Sequence, residues 1–279
     1  MLRRRDRLQS LEKTGVLTAF WQQIKAAQES VLLLDYDGTL APFHVDRSLA
    51  YPYLGVVSLL DSIVRCDKTR TIIVSGRPIV ELRALLTPMS DLEMWGSHGL
   101  ERQSSDGSYS RVQVSEKDAA FLKEAEEWVV AAGLLCRAEI KLGGIAIHWR
   151  GMPPIEARSL QALTQDCWTP LAERSGLKLL QFEAGLELRV SHPDKGDAIR
   201  SILGTLDSDV PIAFLGDDMT DEDAFRVLRG RGLTVLVRAD YRETMAEAWL
   251  RPPMELLDFL ERWRSNVCGY NAGADSARI

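Results

Sequence analysis

Two carboxylates one residue apart close an apolar run in VLLLDYDGTLAP: Asp35 and Asp37, followed by Gly38, Thr39 and Leu40. Carboxylates this close raise each other's pKa unless a cation lies between them. Side chains alternate along a strand, so Asp35 and Asp37 can face one side while Tyr36 faces the other. A divalent ion would relieve the repulsion. Mg2+ suits the task, being hard and commonly held by one or two carboxylates plus phosphate oxygens. Asp and Gly also favour turns, so DYDG taken alone is equally a strand running into a turn.

Three more segments carry chemistry of the same kind. TIIVSGRP ends an apolar run with Ser75, Gly76 and Arg77. Ser75 can cap the helix that Pro78 opens, or hydrogen-bond a phosphate oxygen at that helix N-terminus. HPDKGDAI sets Lys195 just before a helix, where a solvated surface charge is the ordinary expectation. PIAFLGDDMTDEDAF ends a third run with Asp217 and Asp218, and Asp221 follows. Thr220 and Asp223 there read partly as a helix cap. So dense an acidic cluster at a strand end nonetheless suits a cation better than a turn.

These groups need elements to hold them. Short apolar runs recur at 31–34, 71–74, 211–215 and 233–237. Continuous apolar strands predict a parallel sheet covered on both faces. Helical stretches at 53–65, 79–86, 195–204 and 221–229 alternate with them, and an amphipathic helix over 16–29 precedes them. That alternation predicts a doubly wound α/β domain, whose ligand crevice lies at the carboxyl ends of the strands. The middle of the chain reads differently. SYSRVQV, AEIKL, GIAIHWR, LKLLQFE and LELRV are strand-like, with helical stretches at 116–133 and 155–175 among them. They predict a separate α+β unit at 102–190, interrupting an α/β domain made of 1–101 and 191–279.

Composition narrows the function classes. The chain has 279 residues, 46% hydrophobic and 27% charged, as in ordinary globular proteins. A net charge of −6 argues against nucleic acid as partner. No run approaches the ~18 apolar residues that span a bilayer, so no membrane partner is expected. The basic start, MLRRRDRLQSLEKTG, lacks a signal-peptide apolar segment, and the cytoplasm is the default location. The scattered cysteines, Cys66, Cys136, Cys167 and Cys268, read as four reduced thiols. The terminal CGYNAGADSARI reads as a frayed tail. Oligomeric state is not legible, and a monomer would serve.

The order DxDGT, Ser after an apolar run, Lys, then GDDxxxD resembles the haloacid dehalogenase superfamily of phosphotransferases, with its Rossmann-like core. The resemblance implies that Asp35 is the nucleophile at phosphorus. Asp37 would be general acid for the leaving alcohol, then base for water. Ser75 and Lys195 would hold the phosphoryl oxygens, and Thr39 and Arg77 would lie on the substrate. Asp35, Asp217 and the Asp37 carbonyl would bind Mg2+, with Asp221 binding directly or through water. An acid at position 37 favours hydrolysis over dehalogenation or a stable aspartyl phosphate, hence a phosphatase.

Within that superfamily, DYDGTLAP, SGRP-VEL, GSHGLE, EIK, IHWR, ELR and GDDMTDEDAF together resemble the trehalose-phosphatase family over about residues 30–262. The resemblance implies hydrolysis of trehalose 6-phosphate in trehalose biosynthesis, with 102–190 as a cap that chooses the sugar. His98, Glu101, Glu139, Lys141, Arg150, Glu187 and Arg189 would face it. Glu139, Lys141, Glu187 and Arg189 also fit a solvated sheet face, and His98 can serve only to shape a hinge. Trp149 replaces the family's frequent Tyr, and the Pro usual after the ELR arginine comes only at Pro193. Capped phosphatases of sucrose phosphate or mannosyl-phosphoglycerate, or a non-catalytic sugar-phosphate sensor, stand as alternatives.

Overall fold

The computed structural model describes residues 16–268 apart from 88, 90, 91 and 183, so the basic start and all of the tail read above but Cys268 lie outside it. The chain opens with α1 (Val16–Ala26), β1 (Ser30–Leu34), α2 (Val56–Arg65), β2 (Thr69–Val74), α3 (Ile79–Leu85) and β3 (Glu93–Gly96). Then follow β4 (Glu101–Gln103), β5 (Tyr109–Arg111), α4 (Glu116–Ala131), β6 (Ala138–Lys141), β7 (Gly144–His148), α5 (Pro154–Ser175), β8 (Lys178–Phe182) and β9 (Gly185–Arg189). The chain closes with α6 (Lys195–Leu203), β10 (Ile212–Gly216), α7 (Glu222–Leu228), β11 (Leu233–Val237), β12 (Ala248–Leu250) and α8 (Met254–Val267).

The large sheet runs β12-β11-β10-β1-β2-β3-β4-β5. Its strands are parallel from β12 to β3, and β4 and β5 pair antiparallel at the edge. The continuous apolar runs are explained by cover on both faces. Leu32 and Leu34 of β1 pack with Trp21, Leu60 and Trp263 from α1, α2 and α8. Val31 and Leu33 pack the other way, with Ile199 and Phe225 from α6 and α7. The chain winds outward from β1 to β3 and then restarts at β10 on the opposite side of β1. That reversal opens a crevice at the carboxyl ends of β1 and β10, which is where such sheets bind ligands.

The second sheet, β6-β7-β9-β8, is antiparallel. Ile145 and Ile147 of β7 and Leu186 and Leu188 of β9 point to a core with Trp168 of α5 and Val129 of α4. The alternate residues of β6, β7 and β9 are left to face the crevice.

Two expectations need correcting. Residues 102–111, expected in the inserted unit, are hydrogen-bonded into the edge of the large sheet through β4 and β5. Alternation in a strand reports that one face is buried, but not which sheet it joins. Second, Cys66 and Cys268 form a disulfide, leaving Cys136 and Cys167 free. The bond ties the end of α2 to the end of α8 and removes one support for a cytoplasmic setting. No helix among the described residues is long and apolar enough to cross a membrane.

Candidate active site

Asp35 follows the last residue of β1, at the crevice, and is only 3% exposed. Lys195 opens α6 and is equally buried. Its Nζ donates to Asp35 Oδ1 at 2.6 Å and to Asp221 Oδ1 at 2.7 Å, so it is not a solvated charge. An Asp194–Asp197 capping box fixes the helix start that carries it. Burial works against the ammonium, but Asp221 and Asp35 outweigh it and raise the Lys195 pKa. Asp35 is pushed up to about 7, by burial first, with Asp221 and Asp37 adding and Lys195 opposing.

Asp217 follows β10 across the crevice. Its Oδ2 is buried without a hydrogen-bond partner, and Arg238 Nη1 stands 3.7 Å away. Burial, then Asp35 and Asp221, raise its pKa well above the usual carboxylate range. A Cβ at Gly38 would lie 2.1 Å from that same Oδ2, and Gly38 has φ +75, so only glycine fits beside it. Asp221 has both oxygens engaged: Oδ1 by Lys195, and Oδ2 by the backbone N–H groups of Asp217 and Asp218. It orders the loop as much as it charges it. Carboxylate oxygens of Asp35, Asp217 and Asp221 lie within 4.8 Å of one another. An all-oxygen donor set, an orphaned buried oxygen and two carboxyls held above their usual pKa fit a hard divalent cation.

Ser75, after β2, is 1% exposed, and its Oγ accepts from the Arg77 backbone N–H at 3.2 Å. Thr39 donates to Asp35 Oδ2 at 3.4 Å. The Arg77 guanidinium takes Asp37 as a fork, with Nε and Nη2 each 2.7 Å from one oxygen. Asp37 therefore does not share a cation with Asp35 through its carboxylate. Arg77 supplies the counter-charge instead, which is how the repulsion within DYD is settled.

The facing wall comes from the second sheet. Lys141 donates to Glu187 Oε1 at 2.8 Å and stands 3.6 Å from Glu139 Oε1. His148 Nε2 lies 2.9 Å from Glu139 Oε2. Ala146 pairs with Glu139 on one side and Glu187 on the other, and Gly144 sits likewise between Lys141 and Arg189. Small residues on the central strand thus leave a floor between two charged rows. Burial opposes ionisation of Glu139, yet Lys141, His148 and Arg47 bring its pKa down to about 2. Burial likewise opposes the Lys141 charge, and Glu187 and Glu139 restore it.

One cavity joins the two walls. Asp35, Asp37, Ser75, Arg77, His98, Glu139, Lys141, Arg150, Glu187, Lys195 and Asp217 all line it. His98 packs on Gly76, with Nε2 at 3.3 Å from Glu187; burial pulls its pKa down to about 4, against Glu187. Four expected residues lie elsewhere. Thr39 and Asp221 are wholly buried behind the lining, and Arg189 stands behind Glu187 on a smaller void. Glu101 is turned away from the cavity, accepting from Ser97 Oγ at 2.5 Å and Tyr109 Oη at 2.9 Å. It braces the reversal between β3 and β4, where Ser97 and His98 both have positive φ.

The lining also holds Phe43, Arg47, His148, Phe182 and Thr220, which motif reading passed over. Arg47 pairs with Glu139 across the two walls, and Arg150 covers the Phe43 ring at 4.5 Å. His148, inside IHWR, and Thr220, inside GDDMTDEDAF and read there as a cap, had a sequence signal. Phe43 and Arg47 lie in a loop after the DYDG motif, and Phe182 lies near a hairpin tip; nothing in their spacing points to the cavity.

Comparison with known proteins agrees with this geometry. The trehalose-phosphatase family model matches residues 33–248. Trehalose-phosphate phosphatase B of Arabidopsis thaliana is 30% identical, covering 91% of this chain and 73% of its own. Trehalose 6-phosphate phosphatase RA3 of Zea mays is also 30% identical, covering 90% and 75%. Among solved structures, a trehalose-6-phosphate phosphatase related protein superposes with a TM-score of 0.65 at 27% identity, covering 84% of this chain and 97% of its own. The C-terminal domain of the C. albicans trehalose-6-phosphate phosphatase reaches 0.74 at 21% identity, covering 89% and 96%, and speaks to the fold alone. With the family match running from β1 to β12 and the paired carboxylates, serine and lysine meeting at one crevice, this chain belongs to the trehalose-phosphatase family.

Proposed function

We propose that the protein is a Mg2+-dependent phosphatase that hydrolyses trehalose 6-phosphate to trehalose and phosphate, as a step in trehalose biosynthesis, through an aspartyl-phosphate on Asp35. One observation carries the reading. A phosphoryl-transfer set and a charged set suited to reading hydroxyls face each other across a single cavity. Short charged side chains discriminate hydroxyl positions well, because an unmatched group is left unpaired. A sensor without chemistry would not need both Asp35 and Asp37.

Asp35 Oδ attacks phosphorus as the bond to the sugar oxygen breaks. Asp37 gives that oxygen its proton. The resulting Asp37 carboxylate then takes a proton from water, which attacks the aspartyl-phosphate and releases phosphate and free Asp35. General acid–base help of this kind contributes roughly 10²–10⁴-fold. Lys195 and the backbone beside Ser75 hold the equatorial phosphoryl oxygens. Asp35 and Asp217, with Asp221 behind them, would hold Mg2+, which would supply charge neutralisation for the transferring group. Glu139, Lys141 and Glu187 hold the sugar.

A phosphate-release panel tests the assignment. Trehalose 6-phosphate is expected to show a kcat/KM well above that of sucrose 6-phosphate, mannosyl-phosphoglycerate and glucose 6-phosphate. A higher value for any of these would overturn it.

A further inference from the structure

We propose that Arg242 is a positioning residue that stiffens the acidic loop after β10 and so makes the cation site select Mg2+ over the larger Ca2+. The proposal rests on the Mg2+-dependent reading above and concerns a residue that no motif in the chain singles out.

Arg242 lies between β11 and β12, 25 residues beyond Asp217. Its guanidinium reaches back to the loop. Nε donates to the Asp217 carbonyl at 3.1 Å, and Nη2 to the Asp218 carbonyl at 2.7 Å. In a trans peptide the C=O and the following N–H point opposite ways. The other ends of these two peptides are held as well. The Asp218 N–H donates to Asp221 Oδ2 at 3.0 Å, and the Met219 N–H to Asp218 Oδ1 at 2.7 Å. Neither peptide can turn without breaking bonds on both sides.

Arg242 is fixed in its turn. Its Nη1 pairs with Glu222 Oε1 and donates to the Glu243 carbonyl at 2.9 Å. Glu222 opens α7 and also accepts from Thr244 Oγ1 at 2.8 Å and from the Met245 N–H at 2.8 Å. The side chains of Arg242 and Glu222 are 17% and 12% exposed, so water competes little for these bonds. The loop is thereby tied both to α7 and to the segment between β11 and β12.

The Asp217 carboxylate leaves this clamped backbone and abuts Gly38, where a Cβ would stand 2.1 Å from Oδ2. Backbone therefore limits it on both flanks. Ca2+ takes about six to eight oxygens at about 2.3–2.6 Å, whereas Mg2+ takes an octahedron at about 2.0–2.1 Å. A loop free to shift could spread for the larger ion. A clamped one cannot. Charge does not give this preference, since a cation near the site repels both divalent ions alike.

The test displaces Mn2+ from the protein with Mg2+ or Ca2+ and reads free Mn2+ by its electron paramagnetic resonance signal. Wild type, Arg242→Lys, Arg242→Met, Glu222→Gln and Asp217→Asn are compared, with thermal unfolding in EDTA as a check on folding. The readout is the ratio of the Ca2+ and Mg2+ displacement constants. Wild type should favour Mg2+. Arg242→Lys keeps the charge but cannot hold two carbonyls and Glu222 together. Both Arg242 variants should weaken Mg2+ by about tenfold and Ca2+ by less, narrowing the preference at least about threefold. Glu222→Gln, which loosens the anchor of the guanidinium, should move the ratio the same way. Parallel changes for the two ions leave the ratio alone; lost charge or general destabilisation would give them, and they would overturn the proposal. A ratio moved in Arg242→Met but kept in Arg242→Lys would show that one charge suffices and overturn the clamp. So would a wild type that holds Ca2+ as tightly as Mg2+. Mn2+ retained by Asp217→Asn would place the ion elsewhere and overturn it too. A wild type that binds no Mn2+ overturns the cation reading itself and this proposal with it, an outcome distinct from bound ions with an unmoved ratio. If Arg242→Met fails to fold, Arg242→Lys and Glu222→Gln carry the test.

Discussion

Asp217 is the residue at which function most plainly works against stability. Its Oδ2 is buried with no hydrogen bond, beside two more carboxylates. The folded-state pKa values of Asp217 and Asp35 are raised, the latter to about 7. A carboxyl raised on folding binds more protons folded than unfolded, so metal-free stability falls as pH climbs from about 4 towards 7 and the full cost applies above that. A divalent cation replaces the missing proton. In EDTA, melting temperature should therefore be lower at pH 8 than at pH 5.5. Saturating Mg2+ should raise it by roughly 5–10 °C at pH 8 and by less at pH 5.5. Asp217→Asn should melt higher than wild type in EDTA at pH 8 and lose the response to Mg2+. A variant still stabilised by Mg2+ would show that the ion sits elsewhere. Asp35→Asn should fold and turn over no substrate at all; normal phosphate release from it would end the proposed mechanism. These positions were legible because strand ends announce themselves: an apolar run stops and a carboxylate, serine or lysine follows. Glu101 was misjudged because motif position says nothing of direction. Its carboxylate points at Ser97 and Tyr109. Arg47 was missed because its partners Glu81 and Glu139 are brought to it only by folding.

At the scale of elements, β6, β7 and β9 make one face of the second sheet chemical and the other structural. The strand pattern was legible as alternation, but a solvated face and a ligand-facing one carry the same pattern. Burial of Lys141, Glu139 and Glu187 excludes the solvated face. If that wall reads sugar hydroxyls, Lys141→Ala should cut kcat/KM for trehalose 6-phosphate by about 100-fold or more, since Glu187 and Glu139 are left buried without their cation. The same variant should lose far less on 4-nitrophenyl phosphate. Lys195→Ala should damage both substrates together, because the phosphoryl group is common to them. Equal losses for Lys141→Ala would remove the sugar assignment. The helices make a separate point. α8 presents Leu256, Phe259, Leu260, Trp263 and Val267 to the core at helical spacing, and the Cys66–Cys268 bond staples it to α2 over a separation of 202 residues. No motif could pair two cysteines so far apart. Cys268→Ser should lower stability by about 2–4 kcal/mol under oxidising conditions, and reductant should bring wild type down to the variant. Equal denaturation midpoints with and without reductant would show that the bond is not formed in solution.

The described residues carry two sheets that face one cavity, and the alternation of strands and helices led to the expectation of an inserted unit. The pivot was not legible. Glycines at 96, 99 and 196 look from sequence like flexible points around the inserted unit. Gly96 instead sits where a Cβ would come within 2.9 Å of the Ile79 nitrogen and the Arg77 carbonyl. Gly196 lies inside α6 with the Asp223 carbonyl 3.0 Å from such a Cβ. Both are close-packing glycines rather than hinges. The segments that join the two sheets are those between β5 and α4 and between β9 and α6. Across the seam, Arg47 pairs with Glu139, His98 Nε2 stands 3.3 Å from Glu187, Lys178 donates to Asp194 at 3.4 Å and Arg150 to the His44 carbonyl at 3.5 Å, while Leu100 packs with Ile145 and Leu188. If the inserted unit acts as a lid, it opens in the unliganded protein and settles into the arrangement described here on substrate. Small-angle scattering should therefore give a larger radius of gyration for the Mg2+-loaded protein alone than with a sulfate-ester analogue of trehalose 6-phosphate. The liganded profile should agree with that calculated from this structure. Identical profiles in the two conditions would mean that the cap does not move, and substrate would then have to enter through the standing mouth of the cavity.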